Sequence, residues 1–376
     1  AESDSLVAIK QVRDLFGRVD LCKRTLRELA ILRALDHECV VQLHDAFMPP
    51  TLGSASELYV VMEICDSDMR KLIRTDVTLE MQHLKFLLYG LLRGLKYLGS
   101  AGVIHRDLKP ANCLVNRDCA VKICDFNLAC VVDDEASLVP LETAAGTAAT
   151  VPGPMVPATG RARRQLTQHI ATRWYRAPEV ILLERHYTAA IDVWSAGCMF
   201  GELLQTLEGG SSVEDRGALF PGALCFPLSP RAGGHARGRG HDQLGLIFDL
   251  LGTPTEVEIE NLEREDAKQY VRGLRRRQGQ GLARRFHYVD PVALSILSEM
   301  LRFDARERIT VDRALEHELI ADIRDPELEV LAPERVTLAF EGEGALTAES
   351  LRRHFEAEVG VVRRGNNLSI GRAGGA

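Results

Sequence analysis

Nine cysteines are scattered singly over the 376 residues, with no pair at CxxC spacing. That excludes a disulfide framework and a CxxC-type zinc site, and points to a reducing compartment, the cytosol or nucleus. Long apolar runs are missing too. A membrane span needs roughly 18 such residues, and the best candidate, FLLYGLLRGLKYL, is interrupted by Arg93 and Lys96. No membrane role is expected. There is no excess of positive charge. The net charge of −7 argues against nucleic acid as the main partner, despite short RARR and RRR runs. No initiator methionine and no leader-like stretch open the chain, so it reads as beginning inside a domain. What remains is a globular composition, 46% apolar and 26% charged. The length exceeds one typical core, so one large or two fused lobes are expected.

Within that frame, residues 104–126, IHRDLKPANCLVNRDCAVKICDF, concentrate the chemistry. Asp107, Lys109 and Asn112 fall within six residues, and Asp125 follows thirteen positions after Asn112. CLVN and AVKICDF read as a short hairpin turning at NRD, which returns Asp125 close to Asp107 and Asn112. The cluster suits phosphoryl transfer. Asp125 and the Asn112 carbonyl are hard oxygen donors for Mg²⁺, with water and nucleotide phosphate completing the octahedron. Asp107 can orient a hydroxyl and take its proton, and Lys109 can neutralise charge on the phosphate in flight.

These residues resemble the protein kinase signature H-R-D-L-x-x-x-N followed by D-F-G, with Asn127 where the glycine should be. By that resemblance LVAIK ends in the phosphate-bridging Lys10, and Glu28 is its helix partner. KRTLRELAILRALDH carries apolar residues at 26, 29, 32 and 35, the period of an amphipathic helix. VVQLHDAF and ELYVVMEI read as strands, and MEICDSD as a polar joint. The long helix after it has an apolar stripe at 84, 87, 88, 91, 95 and 98. The resemblance thus implies an α+β bilobal kinase fold, with a small strand-rich lobe and a large helical one. Met62, Glu63, Cys65 and Asp68 are the implied nucleotide contacts in the joint, Asp68 reading alternatively as a helix N-cap. No glycine precedes Lys10, so the loop that would cover the ATP phosphates is expected to be absent from this polypeptide.

ATRWYRAPE (171–179) is similar to the segment of proline-directed kinases. The resemblance sets Thr172 against the catalytic aspartate and lysine, and pairs Glu179 with Arg308. QLTQHIATRWY resembles the activation segment of MAP kinases, and is closest to the atypical members of unicellular eukaryotes in which Thr-x-His replaces Thr-x-Tyr. Here the pair is Thr167 and His169. Arg27 and Arg106 match phosphothreonine-binding arginines, Cys130 stands where a third would be, and Arg173 and Arg176 match those that meet phosphotyrosine. This reads as a single-phosphate switch with a weakened arginine cradle. Asp192, opening IDVWSAGCMFGELL, is implied to hold the HRD backbone, an N-cap being the compatible alternative.

The expected layout is a partial small lobe at 1–64, a hinge at 65–68 and a large lobe at 69–320. The large lobe includes a long activation loop at 133–165 and an enlarged insert at 208–241. A C-terminal extension at 321–356 and a disordered tail at 357–376 complete it. Asp325, Glu327 and Glu329 are the resemblance's candidates for binding basic docking peptides. His235 and His241 lack acidic or cysteine neighbours at ligand spacing, so no metal is expected there. The implied activity is transfer of the ATP γ-phosphate to Ser or Thr followed by Pro, in a monomer that answers to an upstream kinase. The alternative is a catalytically weak docking scaffold, motivated by Asn127, Cys130 and the missing glycine loop.

Overall fold

A computed structural model describes residues 6–49, 57–132, 139–140, 173–184, 186–222, 242–343 and 346–373, the backbone alone for 139–140, 187 and 364–373. Thr167, His169, Thr172, His235, His241 and most of the expected activation loop lie outside these residues.

The chain starts with strand β1 (Val7–Val12), helix α1 (Val19–Ala34) and strands β2 (Leu43–Phe47) and β3 (Leu58–Glu63). The three strands form an antiparallel sheet in the order β1-β3-β2. Both strands read from VVQLHDAF and ELYVVMEI are present. Beyond the joint come β4 (Ser67–Asp68), α2 (Met69–Ile73) and α3 (Met81–Ser100), then β5 (Val103–Ile104), β6 (Cys113–Val115), β7 (Val121–Ile123) and β8 (Cys130–Val131). Helices dominate the rest: α4 (Pro178–Ile181), α5 (Ala190–Leu203), α6 (Gln243–Leu251), α7 (Glu256–Glu260), α8 (Glu265–Gly273), α9 (Leu282–Arg285), α10 (Pro291–Met300), α11 (Val311–Leu315) and α12 (Ala348–Ala373). The fold is α+β, a small strand-rich part followed by a large helical one. Among the described residues, no helix is long and apolar enough to cross a membrane.

Helix α3 is the spine of the large part. All six residues of its expected stripe, Leu84, Leu87, Leu88, Leu91, Leu95 and Leu98, are buried. Gly94 lets it approach β7. A Cβ there would sit 2.8 Å from Ile123 Cδ1 and 3.2 Å from the Cys39 carbonyl, closer than packed atoms tolerate. That approach fixes the hairpin carrying the functional loops onto a rigid support.

A second, smaller core unites the two ends of the chain. Leu26, Leu29, Ala46, Leu58 and Val60 from the small part pack with Phe340, Leu351, Phe355, Val359 and Val362. The polypeptide reaches this site by running along the end of α3. Ala332 N donates to Ser100 Oγ at 2.8 Å, and Val336 N donates to the Ala101 carbonyl at 2.9 Å. The expectation of a disordered tail from residue 357 is therefore corrected. α12 continues to Ala373, and its Val359 and Val362 are buried in this core. The reason is that the small part leaves one face of α1 uncovered, and α12 fills it. Phe355 is fully buried and meets the Phe16 ring edge-on, with centroids 5.9 Å apart. Phe355→Ala is expected to destabilise the protein by about 3–5 kcal/mol, read as a lower urea midpoint, with the loss centred on the small part in hydrogen exchange.

Candidate active site

The residues of 104–126 come together as their spacing predicts. β6 and β7 pair antiparallel, Cys113 opposite Ile123 and Val115 opposite Val121, and the turn closes with Asn116 N donating to the Ala120 carbonyl at 3.0 Å. The hairpin's open end holds the chemistry. Cys124 N donates to the Asn112 carbonyl at 3.0 Å, which ties the Asp125 loop to the Asn112 loop. Asn112 Nδ2 donates to the Asp107 carbonyl at 2.9 Å and lies 3.3 Å from Asp107 Oδ2. Lys109 Nζ donates to that same Oδ2 at 2.6 Å. The other Asp107 oxygen, Oδ1, is buried with no hydrogen-bond partner among the described residues. A buried acceptor left open is costly unless something comes to it, and Oδ1 can accept from an incoming hydroxyl.

Two residues of this site sit in the left-handed region, Arg106 at φ 66° and Asp125 at φ 69°. Such backbone is held only where its surroundings over-determine it, at roughly 1–3 kcal/mol per residue. Asp192 supplies the restraint for the first. Its carboxylate accepts from His105 N at 2.7 Å and from Arg106 N at 2.9 Å. α5 begins at Ala190 with Ala189 as its N-cap, so Asp192 does not cap the helix and the backbone-holding role stands alone. For Asp125, the His105 ring lies 3.0 Å from the Cys124 carbonyl and stacks obliquely on the buried Phe126 at 5.1 Å. Asn127 does not use the left-handed freedom that its place suggests. It lies in a 3₁₀ turn, Phe126–Leu128, and its side-chain amide donates to the Asp125 carboxylate.

The ion pair is formed. Lys10 Nζ donates to Glu28 Oε1 at 2.6 Å and Oε2 at 2.7 Å. Burial works against the ammonium, but Glu28 and then Asp125 outweigh it and hold the Lys10 pKa above that of a free lysine. Lys10 is thus charged, and Asp125 lies near enough to feel it. The donor set fits a magnesium ion. The Asn112 amide turns its nitrogen to Asp107, which leaves its carbonyl oxygen for a cation, and Asp125 adds a carboxylate.

The joint follows the expectation less closely. Asp68 Oδ1 accepts from Lys71 N at 2.9 Å, so this aspartate is the N-cap of α2, its alternative reading. The Glu63 carboxylate faces sideways, accepting from Gln42 N at 2.7 Å and pairing with Lys122 at 2.9 Å. Met62 packs partly buried against both cores, and Cys65 lines an open cavity of about 670 Å³ between Leu6 and the turn Asn116–Asp118.

Of the expected phosphate-binding arginines, Arg27 pairs with Glu341 of the C-terminal extension at 2.5 Å. Arg106 Nη2 donates to the Ala129 carbonyl at 3.3 Å. Arg24, which the sequence reading did not name, shares the charge environment of Arg27 and Arg106. Burial lowers its pKa, Asp20 opposes that, and the nearby charges of Arg27 and Arg106 lower it further. Its spacing of three from Arg27 puts both on one helix face, the signal that could have found it. Cys130 is buried in β8, and Arg173 and Arg176 are half-buried on the segment leading to α4. Glu179 meets Arg308 through two hydrogen bonds of 2.7 and 3.0 Å.

The docking candidates separate. Glu329 is buried and paired with Arg324 at 2.7 Å and Lys96 at 3.0 Å. Burial pushes its pKa up, but those two cations outweigh it and the result is below the usual glutamate value. It is a structural ion-pair centre and does not face a partner, a correction to the expectation. Asp325 Oδ1 accepts from Glu327 N at 3.0 Å, and Glu327 is exposed.

Comparison with known proteins agrees with this geometry. Residues 1–211 match the protein kinase domain family. The chain is 38% identical to mitogen-activated protein kinase 3 of Arabidopsis thaliana over 341 residues, 90% of this chain and 78% of that protein. It is 37% identical to mitogen-activated protein kinase 1 of Oryza sativa subsp. japonica, over 94% of this chain and 75% of that one. Mitogen-activated protein kinase 4a of Physcomitrium patens is 38% identical over 85% of this chain and 71% of its own length. The aspartate with an open oxygen, its lysine, the paired Lys10 and Glu28 and the likeness over most of the length agree: this chain belongs to the mitogen-activated protein kinase family and is a serine/threonine protein kinase.

Proposed function

We propose that the protein phosphorylates serine or threonine followed by proline, and that phosphate placed on Thr167 by an upstream kinase raises its activity. Protein kinases take the phosphate from ATP with Mg²⁺, act on proteins and answer to other kinases. In this chain Asn112 and Asp125 would hold the metal, whose charge would steady the nucleotide phosphates. Lys10 would bind those phosphates, Asp107 would accept the hydroxyl proton at Oδ1, and Lys109 would meet charge on the transferred group. The carrying observation is the open, buried Oδ1 of Asp107 beside Lys109 and Asn112. The motif ATRWYRAPE supports proline direction. Arg24 and Arg27 on one face of α1, near Arg106, support a phosphate on Thr167. Asp325 and Glu327 are the acids proposed to bind basic docking peptides. The protein is proposed to act as a monomer in the cytoplasm and nucleus.

The test is transfer of radiolabel from ATP to paired peptides ending Ser-Pro or Ser-Ala, before and after treatment with an activating kinase. The Ser-Pro peptide should be labelled at least about tenfold faster, a difference of roughly 1.4 kcal/mol in transition-state binding. Thr167→Ala should remove the rise on activation. Equal labelling of both peptides would end the proline reading, and an undiminished rise in Thr167→Ala would end the switch.

A further inference from the structure

Asn127 stands where the kinase signature has glycine, and no step of phosphate transfer uses it. Its backbone is placed by the turn it belongs to. In the 3₁₀ turn Phe126–Leu128, Ala129 N donates to the Phe126 carbonyl at 3.1 Å. Arg106, from the neighbouring loop, donates from Nε to the Leu128 carbonyl at 2.5 Å and from Nη2 to the Ala129 carbonyl at 3.3 Å. Phe126 between them is fully buried. A half-buried side chain on a turn held this way has few rotamers open to it. In the one that Asn127 adopts, its Nδ2 donates to Asp125 Oδ1 at 2.5 Å.

That bond falls on a carboxylate under opposing pulls. Asp125 sits in left-handed backbone, at φ 69° and ψ 67°. The Lys10 ammonium attracts it, and the Glu28 carboxylate repels it. A carboxylate with no third partner would lean on Lys10 and engage the cation that nucleotide phosphate needs. The Asn127 amide opposes this. It takes up Oδ1 and leaves Oδ2 for a metal ion, much as Asp107 takes up the Asn112 amide nitrogen and leaves that residue's carbonyl oxygen.

We propose that Asn127 is a positioning residue for the divalent cation: its amide holds Asp125 in the ligating orientation, so that Mg²⁺ binds without the loop first having to reorganise. The inference rests on the reading of Asn112 and Asp125 as the metal ligands. Ligating carboxylates are generally hydrogen-bonded themselves, and losing such a partner costs about 10–100-fold in metal affinity or activity. Magnesium demands a near-ideal octahedron and is therefore sensitive to the direction of each ligand. The residue type fits the task. Glycine has no side-chain donor, and an aspartate here would repel Asp125 instead of holding it.

The experiment titrates the full chain with Mn²⁺, a paramagnetic stand-in for Mg²⁺, by electron paramagnetic resonance in the presence of a non-hydrolysable ATP analogue. Asn127→Ala removes the amide and should weaken Mn²⁺ binding about tenfold or more, with metal-free binding of the analogue as in the parent. Asn127→Leu keeps the bulk of asparagine without its donor and should show the same loss. Parental Mn²⁺ affinity in Asn127→Leu overturns the proposal, because bulk and not the bond then sets the ligand. Tighter binding in either variant overturns it as well, because the amide would then compete with the metal for Asp125. Asp125→Asn separates this from the underlying reading. If the parent binds no Mn²⁺, or Asp125→Asn binds it as the parent does, the ligand assignment fails and the proposal falls with it. If Asp125→Asn loses Mn²⁺ while both Asn127 variants keep parental affinity, the proposal alone fails. Should neither Asn127 variant fold, the parent decides by NMR. An assigned Asn127 side-chain amide protected from exchange with water supports the clasp, and one that exchanges as freely as in the unfolded chain overturns it.

Discussion

Asp107→Asn is expected to lower kcat for phosphate transfer by about 10²–10⁴, with little change in the KM for ATP. An amide cannot take the proton that the substrate hydroxyl must lose; its oxygen stays where Lys109 donates to Oδ2 at 2.6 Å, so its NH₂ takes the place of the open Oδ1. The nucleotide's expected partners, Lys10 with Glu28 and Asp125, lie on other elements and are untouched. Stability should hardly move, because the Oδ1 atom being altered has no partner to lose. Single-turnover labelling together with a urea titration separates these effects. A variant that transfers phosphate at the parental rate would remove the proton-accepting role, and one that unfolds would show that the aspartate mainly supports the loop.

Arg308→Met is expected to destabilise the protein by about 3–5 kcal/mol. Arg308 is buried, and its guanidinium makes two hydrogen bonds to Glu179, of 2.7 and 3.0 Å, and one of 2.8 Å to the Ala190 carbonyl. It also lies over the Trp194 ring, 5.2 Å from the centroid. Removing it strands the Glu179 carboxylate in a buried site, and that unpaired charge makes up most of the expected loss. Adding Glu179→Met should recover a large part of it, since an apolar pair of similar volume is often near neutral. The double-mutant cycle by urea unfolding measures this. If the double variant is as unstable as the sum of the singles, the arginine acts through its carbonyl contacts instead.

Much of the site was legible because its residues are close in sequence. Asp107, Lys109 and Asn112 share one loop, and a hairpin of two three-residue strands must bring Asp125 back to them. The Lys10–Glu28 pair was legible through the resemblance to the kinase signature, and the separation of eighteen positions lets a strand, a loop and a helix bring the two together. What escaped was of another kind. Asn127 was read only as a departure from the signature's glycine, but the structure uses its amide on Asp125. Glu329 was read as a free acid because sequence does not reveal that Arg324 and Lys96 close on it. Residues after 357 were read as tail because GVVRRGNN is polar and glycine-containing, with no period that declares what it packs on.

The sequence alone brought out the cluster of Asp107, Lys109, Asn112 and Asp125, the order of strands and helices and the stripe that buries α3, since each depends on periodicity or on spacing within one loop. Tertiary structure decided which acids are free and which are locked, that α12 completes the core of the small part, and that Arg106 and Asp125 are held in left-handed backbone. The reason is physical. A local pattern sets dihedral preference and which face is apolar, whereas the ionisation and availability of a side chain depend on charges and water removed by residues up to hundreds of positions away.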